Sequence, residues 1–195
     1  MFDITGKAAF ITGGTAGIGL ACAQRFIDAG AWVMIVGHRD GGARIAEQIG
    51  AAFHRVDVQR ETDIVAALDA AVVAFDAIDI VLNNAGVGNT GPTIEESPAA
   101  DFKGLINYDL KAPYAVMHQV PSRMRDGGTI INTASIAGQV QLSGHSQYSA
   151  VKDGVNSLTK RWRWNWRRAI FASMPSALAA SGRKCCRLII RRWPS

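Results

Sequence analysis

Apolar residues fall along this chain in short, nearly unbroken blocks separated by glycine-, asparagine- or aspartate-bearing turns. Ala8 to Thr12, Trp32 to Val36, Ile78 to Leu82 and Thr129 to Asn132 are such blocks, and Phe53 to Val56, which carries His54 and Arg55, makes a further strand ending at Asp57. Runs of four to six β-branched and apolar residues, with no polar alternation, predict strands buried on both faces. Between them the spacing changes to that of helices. From about Gly17 to Ala29, Ile18, Cys22 and Phe26 share one face and Gly30 follows the last turn. Ala43 to Ile49 makes a short helix closed by Gly50. Thr62 caps a helix carrying Ile64, Leu68, Val72 and Phe75, and Ser97-Pro98 opens a long helix reaching about Arg125. Strands alternating with helices imply an α/β fold, a doubly wound parallel sheet covered on both faces.

The 195 residues suffice for one sizeable core and are short for two domains. Hydrophobic residues make up 48% and there are 20 glycines, which fits a packed α/β chain and argues against disorder. No stretch is long and apolar enough to span a bilayer, and Met1-Phe2-Asp3 does not begin a signal peptide. Cys22, Cys185 and Cys186 have neither metal-ligand nor disulfide-framework spacing, so a cytoplasmic location is expected. The net charge of +5 is unevenly placed. Residues 161–195 hold nine Lys and Arg and no acid, leaving twelve bases against sixteen acids in residues 1–160. The body is therefore acidic, and the charge argues for no nucleic-acid or membrane partner of it.

In parallel sheets of this kind ligands bind outside the carboxyl ends of the strands. The residues that stand there carry chemistry. After the first strand come Gly13, Thr15, Gly17, Ile18 and Gly19, a turn whose glycines let backbone approach a pyrophosphate at a helix N-terminus. The Thr15 hydroxyl either adds to that phosphate contact or caps the helix. After the fourth strand come Asn83, Asn84, Ala85 and Gly86; after the fifth, Ser135. Thirteen residues beyond Ser135 stands Tyr148, and four further on Lys152. That spacing puts phenol and ammonium on one helix face, where the cation favours the phenolate.

With its Thr-Gly-x-x-x-Gly-x-Gly turn, Asn-Asn-Ala-Gly segment, and Ser and Tyr-x-x-x-Lys residues, the chain resembles the short-chain dehydrogenase/reductase family from about Gly6 to Lys160. The resemblance implies a Rossmann-like fold and an NAD(P)-dependent oxidoreductase interconverting a carbonyl and a secondary alcohol, a small-molecule substrate. It implies Tyr148 as the acid or base, Ser135 as the carbonyl-oxygen donor, and Lys152 as the partner of Tyr148 and of the nicotinamide ribose. Asp57-Val58 resembles the adenine-contacting pair, and Asn84-Ala85-Gly86 the segment lining the adenosine. At the end of strand two an acid would select NAD. Gly37 stands there, followed by His38 and Arg39, so NADP is favoured over NAD, with Arg39 placed to pair with a 2′-phosphate. The family's asparagine in the long helix aligns with Asp109, before Leu110-Lys111-Ala112; Asn107 lies two residues earlier, and which of the two serves is left open. No metal is implied.

Beyond Lys160 the resemblance stops at Arg161-Trp162-Arg163-Trp164-Asn165-Trp166-Arg167-Arg168. A divergent tail, or a segment binding anionic membrane or nucleic acid, fits that interleaving of cations and aromatics. A third reading explains more. GC-rich codons for this segment, read two bases later, give Leu-Ala-Leu-Glu-Leu-Ala-Pro-Arg-His-Ile-Arg-Val-Asn-Ala-Val-Cys-Pro-Gly-Gly, the helix end, sixth strand and Pro-Gly turn expected of the family. The sequence thus predicts a domain over residues 1–160, an out-of-frame tail over 161–195, and a sheet that stops at strand five with an exposed edge. The expected consequence is weak cofactor binding and little turnover, or a non-catalytic remnant. Intact family members form homo-oligomers through two long helices, the second of which is altered here. Gly88 to Thr93 and Gln139 to His145 are expected to shape a substrate pocket.

Overall fold

A computed structural model describes residues 3–88, 93–140, 143–165 and 169–172. Its strands are β1 (Ala8–Thr12), β2 (Trp32–Gly37), β3 (Ala52–Arg55), β4 (Ile78–Asn83), β5 (Met124–Thr133) and β6 (Ala169–Ala172), in the order β3-β2-β1-β4-β5-β6, all parallel. The helices are α1 (Gly17–Asp28), α2 (Gly42–Ile49), α3 (Glu61–Phe75), α4 (Ala99–Ile106), α5 (Ala112–Gln119) and α6 (Ser146–Asn165). Residues Asn107–Lys111 form a π-helical turn that joins α4 to α5 without a break.

The strands feed two cores by simple alternation. On one face Ala9, Ile11, Val33, Ile35, Ile80, Leu82 and Ile131 pack against Cys22, Ala23 and Phe26 of α1 and Ala46 of α2. On the other, Phe10, Met34, Val36, Val81 and Ile130 meet Ile64 and Leu68 of α3 and Ala115 and Val116 of α5. Each buried Val, Leu, Ile, Met or Phe among these contributes about 2 kcal/mol over its exposed state. The doubly wound architecture expected from the apolar blocks is present. Between β1 and β4 the strand order reverses, which opens a crevice at the carboxyl edge.

The structure differs from expectation at four places. Helix α3 begins at Glu61 with Arg60 before it and no side-chain cap; the Thr62 hydroxyl donates to Asp63 Oδ1 at 3.4 Å instead of capping. The long helix ends at Gln119 rather than near Arg125, because Pro121 opens a 3-10 turn over Pro121–Arg123. Strand β5 then begins five residues earlier than expected, at Met124. Finally, α6 continues to Asn165, so a boundary at residue 160 falls inside a helix, and Trp162 packs against the second core.

The sheet also does not stop at strand five. β6 pairs with β5 from Ile130↔Ala169 to Thr133↔Ala172, covering the carboxyl half of that edge. The reason is local: Ala169-Ile170-Phe171-Ala172 is the first short apolar block after the basic end of α6, and four such residues suffice for a parallel pairing. The remaining tail, residues 173–195, lies outside the described residues, as do 89–92 and 141–142 of the expected substrate pocket.

Candidate active site

The crevice at the strand reversal encloses about 540 Å³. Gly13, Thr15, Ala16, Gly17 and Ile18 form one wall, Gly37, His38 and Arg39 the end beyond β2, and Asn84, Ala85 and Gly86 the opposite wall; Val58 closes the floor. Several of these positions have no space for a side chain. A Cβ at Gly13 would stand 2.9 Å from Ala85 Cα, and one at Gly14 2.5 Å from Ile35 Cβ. A Cβ at Gly19 would strike the Gly13 carbonyl oxygen, so Gly19 keeps α1 close to the turn and does not itself line the crevice. Gly13 and Gly17 also take positive φ, +66° and +54°, where L side chains are strained. Ala16 precedes α1 in extended conformation, and no side chain caps its first N–H groups. Asn84 fastens the two walls, donating through Nδ2 to the carbonyls of Thr12 and Gly13 at 3.3 Å each.

Thr15 therefore does not cap α1 by a side-chain bond. It leans over the end of β2, where a Cβ at Gly37 would come 3.2 Å from its Oγ1. The space beside Gly37 is thus partly filled by a hydroxyl. Asp40 bridges to Arg55 at 3.1 Å, both largely exposed, rather than to Arg39. Of the pair expected on the adenine side, Val58 reaches the crevice, whereas the Asp57 carboxylate accepts the Gln59 amide at 3.0 Å in its own turn.

Ser135, Tyr148 and Lys152 gather just beyond the Gly86 end of this crevice. Ser135 follows β5 and is buried; its Oγ accepts the Ala137 amide at 3.2 Å. Tyr148 and Lys152 lie one turn apart on α6, with Nζ 5.5 Å from the phenol ring centroid. The lysine is buried and donates to the Thr133 carbonyl at 3.3 Å. Burial raises the Tyr148 pKa above the usual phenol value; the hydrogen bond with Ser135 opposes this, and the charge of Asp109 adds to it. Burial likewise lowers the Lys152 pKa, against the pull of Asp109.

Asp109, and not Asn107, is the π-turn residue that enters this group. Its Oδ2 lies 3.8 Å from Lys152 Nζ and its Oδ1 accepts the Val87 amide at 2.8 Å. A π-helical turn adds one residue to the helical circuit and often marks a functional position. Two further side chains hold the trio in place: Asn83 of the Asn-Asn-Ala-Gly segment, to which the sequence assigned no role of its own, and Asn132, which it did not single out. Asn83 donates to Asn132 Oδ1 at 2.8 Å, and Asn132 donates to Thr159 Oγ1 at 2.9 Å, so β4, β5 and α6 are tied through buried amides. Asn83 follows one apolar block and Asn132 closes another, and a polar residue at the buried end of such a strand was the available signal.

The sequence profile of the short chain dehydrogenase family matches residues 7–176, somewhat beyond the Lys160 limit of the motif-based resemblance. Among similar curated proteins, L-fucose dehydrogenase of Oryctolagus cuniculus is 39% identical over 159 residues, 80% of this chain and 56% of that protein. The 2-dehydro-3-deoxy-D-gluconate 5-dehydrogenase of Formosa agariphila is 32% identical over 175 residues, 85% of this chain and 66% of its own length. D-threitol dehydrogenase of Mycolicibacterium smegmatis is 34% identical over 173 residues, again 85% and 66%. The chain thus spans less than two thirds of the length of these relatives. A profile that takes in nearly the whole described structure, and dehydrogenases alike in sequence across four fifths of it, agree with the geometry at the sheet's carboxyl edge: the chain belongs to the short-chain dehydrogenase family.

Proposed function

We propose that this chain is an NAD(P)-dependent oxidoreductase that interconverts a carbonyl and a secondary alcohol. The observation that carries the reading is the meeting of the Tyr148 phenol, the Ser135 hydroxyl and the Lys152 ammonium beside the glycine-walled crevice. A dinucleotide fits that crevice on steric grounds, since the walls close to backbone contact at Gly13 and leave uncapped N–H groups at α1 for a pyrophosphate. When bound, such a cofactor supplies the hydride donor or acceptor. The chain's own residues supply the rest. Ser135 donates to the substrate oxygen and fixes it near the phenol. Tyr148 Oη gives a proton to that oxygen in reduction and takes it back in oxidation. Lys152 orients the ribose side and biases the phenol charge.

NADP is the favoured cofactor: no acid stands at Gly37, Thr15 Oγ1 lies beside it, and Arg39 lines the same end with Asp40 engaged elsewhere. Tyr148, Lys152 and Asp57 are assigned to cofactor or proton roles on the family resemblance. The relatives quoted act, by their names, on polyhydroxylated compounds, which makes polyols and sugars the first substrates to try. Fluorescence titration with NADPH and NADH, followed by such a panel at 340 nm, tests the assignment. Binding with turnover lost in Tyr148→Phe supports it, and no binding of either nucleotide overturns it.

The second reading is a remnant that binds dinucleotide weakly and does not turn over. The acid-free, Trp- and Arg-rich composition after Lys160 favours it, as the mark of an out-of-frame segment. Nucleotide sequence across codons 155–165 decides the point. A missing base relative to close relatives, and activity regained on restoring it, supports the remnant.

A further inference from the structure

A buried carboxylate 3.8 Å from the active-site lysine is the feature of this molecule that the assigned chemistry does not use. Asp109 is 1% exposed, and its Oδ2 accepts no hydrogen bond. Its other oxygen is committed: Oδ1 takes the Val87 amide, and a Cβ at Gly86 would stand 2.5 Å from it, so only glycine there admits the carboxylate. The π-helical turn delivers Asp109 to this point, and the loop after β4 is shaped around it. A negative group is thus built into the site from two directions.

We propose that Asp109 is a positioning residue that neutralises Lys152, so that the ammonium acts on Tyr148 as half of a pair and not as a free cation. The proposal rests on the oxidoreductase reading for its catalytic meaning, but its electrostatic content stands on geometry alone. At 3.8 Å and with both groups buried, two states are open to the pair: carboxylate with ammonium, or carboxylic acid with amine. Both carry zero net charge. In either state the field on the phenol is that of a dipole, which falls off faster with distance than that of a lone ammonium. Among the described residues the charged groups facing the phenol are these two. From the β5 end it meets the Ser135 hydroxyl, the 84–87 loop brings no charge, Asp153 on α6 is exposed, and His145 before α6 is half-buried with its Nδ1 held at the Ser143 carbonyl. The raised titration of Tyr148, with Asp109 among its causes, agrees with this balance. Asp109 then has two functions: it fixes the lysine and the Gly86–Val87 loop in one arrangement, and it holds Tyr148 in its protonated, proton-donating form to higher pH.

The test is an ultraviolet titration of the phenolate band in the full chain, with Tyr148→Phe subtracted to remove Tyr108 and Tyr114. In the unmodified chain the Tyr148 transition is expected above the free phenol value of about 10. In Asp109→Asn, which keeps an acceptor for the Val87 amide, it should fall by about one pH unit, a tenfold gain in phenolate at a given alkaline pH. Asp109→Ser repeats the test with a smaller neutral group. With cofactor and substrate, Asp109→Asn should move the rising limb of the kcat profile for alcohol oxidation, where Tyr148 acts as base, to lower pH and leave KM nearly unchanged. A wild-type transition well below that of a free phenol overturns the proposal, as does a transition unmoved or raised in either variant that folds. Because the phenolate band needs no turnover, loss of the oxidoreductase reading would show as absent nucleotide binding, with the titration shift intact.

Discussion

Two carboxylates are buried at opposite rims of the same sheet, and they are treated in opposite ways. Asp79, at the amino edge of β4, is surrounded by donors. The Ala8 amide reaches Oδ2 at 2.9 Å, Lys7 Nζ reaches Oδ1 at 3.1 Å, and Arg125 Nη1 reaches Oδ2 at 3.0 Å. Arg125 also donates to the Phe75 carbonyl and to Asp76, so β1, β4, β5 and the end of α3 are pinned at one point. Asp109, at the carboxyl edge, has one amide and a lysine at salt-bridge distance, with one oxygen left without a hydrogen bond. A saturated buried charge serves the fold. A half-satisfied one costs stability that the fold alone does not repay, and such sites cluster where chemistry is done.

That contrast can be broken most directly at its chemical end. Tyr148→Phe should cut turnover by about a thousandfold, the ordinary worth of a positioned proton donor, while thermal unfolding and nucleotide titration stay near wild type. Loss of folding with loss of activity would mean the carboxyl edge is structural too. Next in size, Asp79→Ala strands the buried Ala8 amide and removes two charge-assisted contacts. It should cost about 3 kcal/mol in urea unfolding and leave nucleotide affinity per folded molecule unchanged. A smaller effect is expected of Arg39→Ala, about tenfold weaker NADPH binding with NADH unaffected, read by fluorescence. Equal losses for both nucleotides would remove the 2′-phosphate role. Smallest is Lys7→Ala: its side chain is half exposed, so solvent screens the pair with Asp79 and the cost should stay below about 1 kcal/mol.

Much of the carboxyl edge was legible before any coordinates, because a strand buried on both faces is written as a continuous apolar run and the residue that ends it stands at the crevice. Gly13, Asn84 and Ser135 could be placed in this way. The amino edge was not legible. Asp79 interrupts an apolar block with no local hint of its partners, since Lys7 and Arg125 lie 72 and 46 residues away. The start of β5 was hidden for another reason. Met124-Arg125-Asp126-Gly127-Gly128 has polar residues and a glycine at φ +86°, and it pairs with β4 only across a register shift, so no apolar pattern announces a strand. The Asn83–Asn132–Thr159 bonds depend on three elements meeting, which spacing along the chain does not encode. Asp109 was placed by alignment, but its contact with Lys152 required the π-helical turn, whose extra residue leaves no mark in composition.

That extra residue belongs to the chemistry more than to the core. Successive residues of an ordinary helix are about 100° apart around its axis, and the π-turn takes up one surplus residue by widening a single circuit. Deleting one residue between Ile106 and Ala112 would restore regular pitch and leave α4 and α5 facing as they do. Ala112, Ala115 and Val116 would keep their places against Leu68 and Ile130, while the carboxylate left the lysine. A single-codon deletion in this segment would therefore spare the helix packing and empty the site, a lesion of chemistry alone.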